Sequence, residues 1–226
     1  MRLLALDTAT ENCSAALLIG TRLLTREAQF ARGHAEHILA MIDELLAEAG
    51  MALAQMEAIA FGRGPGSFTG VRLAVSLVQG LAFGADLPVA AVSDLAALAQ
   101  RGFDLDPEVA RVLVCNDARM QEVYWACFER QGDLAAPAGL ERVGAPQSVG
   151  LPPGVQAAGI GRGFAAHPRL LALEGLTVPA SWEGLLPRAA EIARLGAREA
   201  LAGRLLPPEA AAPVYLRDEV ARPSSS

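Results

Sequence analysis

Lysine is missing from this chain of 226 residues; all 19 of its basic side chains are arginine. The usual phosphate-loop signature closes on Gly-Lys-Ser/Thr, so that form of nucleotide grip is excluded. Aromatic residues are scarce at 5%, and a net charge of −6 comes with no basic run. Nucleic-acid binders carry a basic patch, so a chain of this kind does not hold nucleic acid unaided, and a partner would have to supply the charge. Cysteine is rare too. Cys13, Cys115 and Cys127 stand far apart and form no CxxC. An odd, unpatterned set predicts reduced core thiols on strands of a cytosolic protein. No apolar stretch reaches the ~18 residues needed to span a bilayer. Asp7 interrupts the first apolar run before it attains the length of a secretory core.

What is present is a core-forming composition, 52% hydrophobic, punctuated by 22 glycines and 14 prolines. The most informative stretch is Phe61–Arg72, FGRGPGSFTGVR. An apolar strand enters a loop with glycines at 62, 64, 66 and 70, and Ser67 and Thr69 then open an apolar helix. Glycines let N–H groups converge, and a helix N-terminus favours negative charge. The loop therefore has the form of a phosphate cradle without its cation. Asp7, at the end of the first strand, and Thr8 after it are the companions such a cradle would use. The plain alternative is an Asp closing a hairpin turn.

Periodicity predicts strands at Arg2–Asp7, Cys13–Ile19 and Leu23–Ala28, then an amphipathic helix from about Gly33 to Ala49, capped by Gly50. A strand at Glu57–Phe61, a helix from Thr69 to about Phe83, a strand at Pro88–Val92 and a helix capped by Ser93 or Asp94 follow. The second half begins as the first did. Strands Val109–Asn116 and Val123–Phe128 flank a turn after Asp117, and Asp117 precedes Tyr124 by the spacing that separates Asp7 from Ser14. Further strands are expected near Leu140–Val143 and at Val155–Ile160, a helix at Leu186–Leu201, and a surface loop over Ala136–Pro153. Two such units side by side make an actin-like architecture.

Other residues carry less. His34 and His37 are three apart with Glu36 between them, which is not the HExxH zinc pattern, and His167 is remote. The helix Thr69–Phe83 is apolar around most of its circumference, so it is either wholly covered within the chain or offers a stripe to another chain. No nucleophile–base set or paired-carboxylate motif stands out. A peptidase has no residue set to support it.

The segments LALDTATENCSAAL, GHAEHILAMIDELL, FGRGPGSFTGVRLAVSLVQGLA, CNDARMQEVYWACF and PVYLRDEVA, in order from residue 3 to 221, resemble the bacterial TsaB (YeaZ) family; residues 130–185 are poorly marked. The resemblance implies an α/β, actin-like (ASKHA) fold of two ribonuclease-H-like lobes. Residues 1–104 would form the first lobe with partner-binding helices, 105–221 a degenerate second lobe, and 222–226 a disordered tail. It implies a non-catalytic scaffold and dimerisation subunit, supporting the catalytic paralogue TsaD and working with the ATPase TsaE. Together they modify N6 of the adenosine 3′ of the anticodon, tRNA being reached only through the complex. It implies no intrinsic cofactor, metal or membrane, and a cytoplasmic location. A homodimer through the same helices is expected when the partner is missing. Where the paralogue carries a metal-binding N-H-L-E-x-H-like run, this chain has Asp94 and Leu98, and leucine ligates no metal. Asp7, Thr8, Gly64, Gly66, Ser67 and Thr69 would then be a vestigial nucleotide loop, with weak ATP or ADP binding, alone or at the partner joint, left open. Spacing nominates Ile38, Met41, Leu45, Leu73, Leu77 and Leu81 as partner contacts. The rival expectation is an autonomous actin-like ATPase or small-molecule kinase.

Overall fold

The computed structural model describes residues 1–31 and 33–217. The tail expected at 222–226 lies outside them. The first sheet is built from β1 (Arg2–Asp7), β2 (Asn12–Ile19), β3 (Arg22–Gln29), β4 (Ala58–Gly62) and β5 (Val89–Val92), in spatial order β3-β2-β1-β4-β5. β1 pairs antiparallel with β2 and parallel with β4. Its RLLALD run is buried on both faces after Arg2, as a central strand covered on two sides must be. β3 instead alternates between exposed and half-buried, the pattern of an edge strand with one covered face.

The second sheet contains β6 (Arg111–Asp117), β7 (Val123–Gln131), β8 (Leu134–Pro137), β9 (Arg142–Gly144), β10 (Ala157–Ile160) and β11 (Leu176–Thr177). Its order is β11-β10-β6-β7-β8, with β9 pairing β7 as well. Again an antiparallel hairpin, β6–β7, has a parallel neighbour, β10. The equivalence is not the one read from spacing: Asp7 lies opposite Ser14, but Asp117 lies opposite Val123, and Tyr124 faces Asn116. β8 was not foreseen. The strand expected near Leu140–Val143 is β9, and the segment expected to loop over the surface also buries Val149.

Helices α1 (His34–Ala49) and α2 (Phe68–Ala85) lie on one face of the first sheet, α1 against β2 and β3, α2 against β4 and β1. α2 is 18 residues long with mean hydropathy 1.4. By length and composition it could cross a membrane, which corrects the expectation that no such stretch exists. Here Ala74, Val75, Val78 and Ala82 pack it onto the sheet, and Val71 is buried against the glycine loop.

Helices α3 (Asp94–Leu105) and α5 (Ala189–Leu201) form a layer between the two sheets. α5, from the second half of the chain, rests on β1, β2, β4 and β5 of the first sheet. α3, from the first half, packs on β6, β7 and β8 of the second. One continuous core runs from Leu3, Ala5 and Ala60 through Leu98, Phe103 and Ile192 to Val112, Val114 and Phe128. The expected boundary at 104/105 falls in the last turn of α3, between β5 and β6, and the packing crosses it in both directions. The short α4 (Arg162–Ala166) covers the far face of the second sheet beside Phe164 and Leu170.

The thiols sit on strands, as expected: Cys13 and Cys115 are buried and Cys127 half-buried, all unbridged. Burial pushes the Cys13 thiol up to about 11 and that of Cys115 up to about 12. Ellman's reagent at pH 8 is therefore expected to leave both unmodified in the native chain and to react with them once denaturant is added. Rapid native reaction of either would contradict the packing.

Candidate functional site

The loop after β4 is a close-packed joint. A Cβ on Gly66 would lie 2.5 Å from Ala9 O, and one on Gly70 would lie 2.0 Å from Thr8 O. The glycines thus let the 8–10 turn dock directly on the start of α2. Hydrogen bonds close the joint: Ser67 N donates to Ala9 O at 2.7 Å and Thr8 Oγ1 to Gly70 O at 2.7 Å. Gly64 N donates to Asp94 Oδ2 at 2.5 Å, and Asp94 N returns a bond to Gly64 O at 3.0 Å. The Gly64 and Ser67 N–H groups that a phosphate could use are spent inside the fold. Of the residues predicted for a nucleotide loop, Asp7, Thr8, Gly64 and Gly66 are brought together, the first three of them buried; Ser67 and Thr69 stand exposed on the rim.

Asp7 does not face an open cleft. Its carboxyl lies beside that of Asp94 over Gly62, and both side chains are fully buried. Asp7 Oδ1 accepts from Ala9 N at 2.8 Å. Asp7 Oδ2 and Asp94 Oδ1 have no hydrogen-bond partner among the described residues. Two fully buried carboxylates side by side, each with an unpartnered oxygen, do not both ionise readily, so the pair holds a shared proton. Burial pushes Asp7 up to about 6 against the pull of the Ala9 bond. Asp94 is held well above the usual carboxylate range, first by burial and then by the charge of Asp7. A Cβ at position 62 would come within 2.4 Å of Asp94 Oδ1 and 2.8 Å of Asp7 Oδ1, so glycine there makes room for the two acids to meet. Sequence reasoning missed Asp94 as the partner of Asp7. The signal available was an acid at the first position of a helix next to the glycine loop.

The second hairpin turn is built differently. Asp117 is partly exposed, and its Oδ1 accepts from Arg119 N at 3.0 Å. Arg119, Met120 and Gln121 all adopt left-handed φ values of 62°, 52° and 62°. A non-glycine residue in that region costs about 1–2 kcal/mol, so the turn is strained three times in succession. It borders a depression of about 310 Å³ that also touches Ala166 and His167. Glu11, in the first turn, bridges to Arg162 at 3.0 Å and to Arg119 at 3.9 Å. The other candidates resolve simply. His34 Nε2 meets Thr10 O at 2.8 Å, His37 stacks on Phe30 with centroids 3.9 Å apart, and Leu98 is core.

The nominated helix contacts divide. Ile38 and Leu45 are fully buried against the first sheet, which corrects their assignment to an outward surface. Met41, Leu77 and Leu81 are half-buried over the core, and Leu73 is half-buried without joining it. The outward apolar residues are Leu39, Phe68 and Phe83, the last 81% exposed. In a helix apolar all round, periodicity cannot say which stripe turns out; the sheet decides it.

Residues 28–169 match the family model described as "TsaD: tRNA N6-adenosine threonylcarbamoyltransferase". The chain is 38% identical to the tRNA threonylcarbamoyladenosine biosynthesis protein TsaB of Escherichia coli, over 98% of this chain and 96% of that protein. It is 51% identical to the Haemophilus influenzae protein of the same name, over 58% of this chain and 55% of the relative. Among solved structures, YeaZ from Pseudomonas aeruginosa superposes with a TM-score of 0.88 at 45% identity, covering 95% of this chain and 99% of that one. Sequence and fold agree along nearly the whole length, and the chain belongs to the TsaB (YeaZ) family of tRNA threonylcarbamoyladenosine biosynthesis proteins.

Proposed function

We propose that this chain is a non-catalytic docking subunit in the formation of N6-threonylcarbamoyladenosine in tRNA. Its partner is a TsaD-type catalytic paralogue, with a TsaE-type ATPase as a further component, and tRNA is met through the complex in the cytoplasm. Two sheets, each with a hairpin and a parallel neighbour, support an actin-like body of two ribonuclease-H-like lobes. The closed Asp7–Asp94 pair supports docking over an autonomous ATPase or kinase, which would need Asp7 open to a metal–nucleotide. Any ATP or ADP binding is then weak or belongs to the joint with the partner. Substantial ATP turnover by the purified chain would overturn this reading.

The carrying observation is the outward face of α2. Phe83 is exposed, and Gly80 and Gly84 have nothing within 4 Å of where a Cβ would stand. A glycine inside a helix costs roughly 0.5–1 kcal/mol relative to alanine, and no contact among the described residues requires either one. The close approach of a helix from another chain does require them, and interhelical distances of about 8–10 Å depend on the side chains at the crossing. Without the paralogue, a second copy of the chain would cover this face.

Gly80→Leu tests the surface without touching the core. It is expected to weaken association with the TsaD-type paralogue of the same organism by about tenfold or more in titration calorimetry, while the isolated chain keeps or gains thermal stability. Unchanged affinity would remove α2 from the interface.

A further inference from the structure

The segment 207–217 leaves the first sheet's edge, where Leu206 bridges Val89, and crosses α2 toward the strained turn of the second sheet. Gln79 Nε2 donates to Ala211 O at 3.0 Å, and Val214 N donates to Arg63 O at 2.8 Å. Arg217 donates to Ala118 O at 3.2 Å and to the Glu122 carboxylate. This course carries Tyr215 to the first turns of α2. There Arg72 Nε donates to Tyr215 Oη at 2.6 Å, and the guanidinium carbon stands 3.6 Å from the Phe68 ring centroid and 5.6 Å from that of Tyr215. Both rings are about half exposed, Phe68 at 54% and Tyr215 at 46%.

Resting on the docking reading above, we propose that this stack is the polar anchor of the interface and receives a single carboxylate from the protein laid along α2. Arg72 is already oriented by one hydrogen bond and an aromatic face, so little rotamer freedom is left to lose on binding. Its terminal nitrogens have no partner among the described residues, whereas nearby Arg63 and Arg217 are committed to Glu141 and Glu122. Tyrosine, phenylalanine and arginine around a central cation make the composition of an interface hot spot. The charge balance selects the ligand. One fixed cation on a chain of net charge −6 fits one carboxylate; a nucleic-acid backbone needs several cations in a row. Continuity selects the source, because Arg72, Ser76 and Gly80 follow at four-residue steps along the same exposed side of α2.

Arg72→Met keeps a stem able to lie on Phe68 and removes the charge. With the TsaD-type paralogue, calorimetry is expected to show affinity reduced about tenfold and its dependence on NaCl flattened. Tyr215→Phe, which frees the guanidinium, is expected to lose about two- to threefold. If Arg72→Met matches the parent in affinity and salt dependence while Gly80→Leu abolishes binding, the anchor is refuted and the docking face stands. If both variants bind like the parent, the docking reading itself falls. Loss of tRNA retention by the assembled complex, with paralogue affinity intact, would assign Arg72 to RNA and overturn the proposal.

Discussion

Gly70→Ala is expected to destabilise the chain by about 4 kcal/mol or more, enough to unfold a domain of ordinary stability. The added methyl would sit 2.0 Å from Thr8 O and 3.1 Å from Thr8 C. Both are backbone atoms of a fully packed turn, so no side chain can swing aside. Moving the turn would strain the Thr8 Oγ1 bond to Gly70 O and the Ser67 bond to Ala9 O. It would also displace Asp7, whose carboxyl holds Ala9 N. Ten residues along the same helix, Gly80→Ala should do the reverse and add roughly 0.5–1 kcal/mol, because its methyl meets nothing and helix propensity rises. Urea denaturation of the two variants beside the parent checks both signs. Equal midpoints for Gly70→Ala and the parent would mean that the joint is far looser than described.

Asp94→Asn is expected to stabilise the chain at pH 8, by about the 1–3 kcal/mol that a buried polar group without its partner costs, and to lose that advantage toward pH 4. Both acids of the pair are raised in the folded state, and an unfolded aspartate titrates near 3.9. The native chain therefore binds more protons than the unfolded chain above that value. The stability tied to the pair is complete below about pH 4 and is lost as pH rises through about 6 and beyond. An asparagine amide would donate to Asp7 in place of the shared proton, while its oxygen still accepts from Gly64 N. Other groups move with pH: buried Glu191 is raised and Glu199 is lowered. The diagnostic is therefore the difference between variant and parent, followed by denaturation at pH 4, 6 and 8. A variant less stable than its parent at pH 8, or a difference that does not change with pH, would rule out the shared proton.

Much of the architecture was legible because it is written in local patterns. The apolar run of β1, the three- and four-residue spacing of α1 closed by Gly50, and Ser93 capping α3 each declare themselves within a few residues. The glycine loop was recognisable as a place of close backbone approach, but not the backbone that approaches it. The atoms that fill it, Thr8 O and Ala9 O, belong to a turn some sixty residues earlier, and no local pattern reports which groups will meet there. Asp94 was passed over for the same reason: an acid at a helix start is ordinary, and only the sheet brings it to Asp7. Ile38 and Leu45 were placed outward because an amphipathic stripe tells which residues share a face, not whether that face meets a sheet or a partner. The three left-handed residues at Arg119–Gln121 left no trace at all, since none is glycine and the strain is imposed by bonds around the turn.

The exchange of helices between the sheets has a consequence for biosynthesis. A chain emerging from the ribosome completes all five strands of its first sheet by Val92, yet the helix that roofs their inner side ends only at Leu201. For more than a hundred residues of translation, Leu3, Ala5, Ala60 and Ala90 await their cover. The growing polypeptide thus leaves that apolar surface bare until α5 has been made, and no fragment cut between the two sheets would carry a sealed interior.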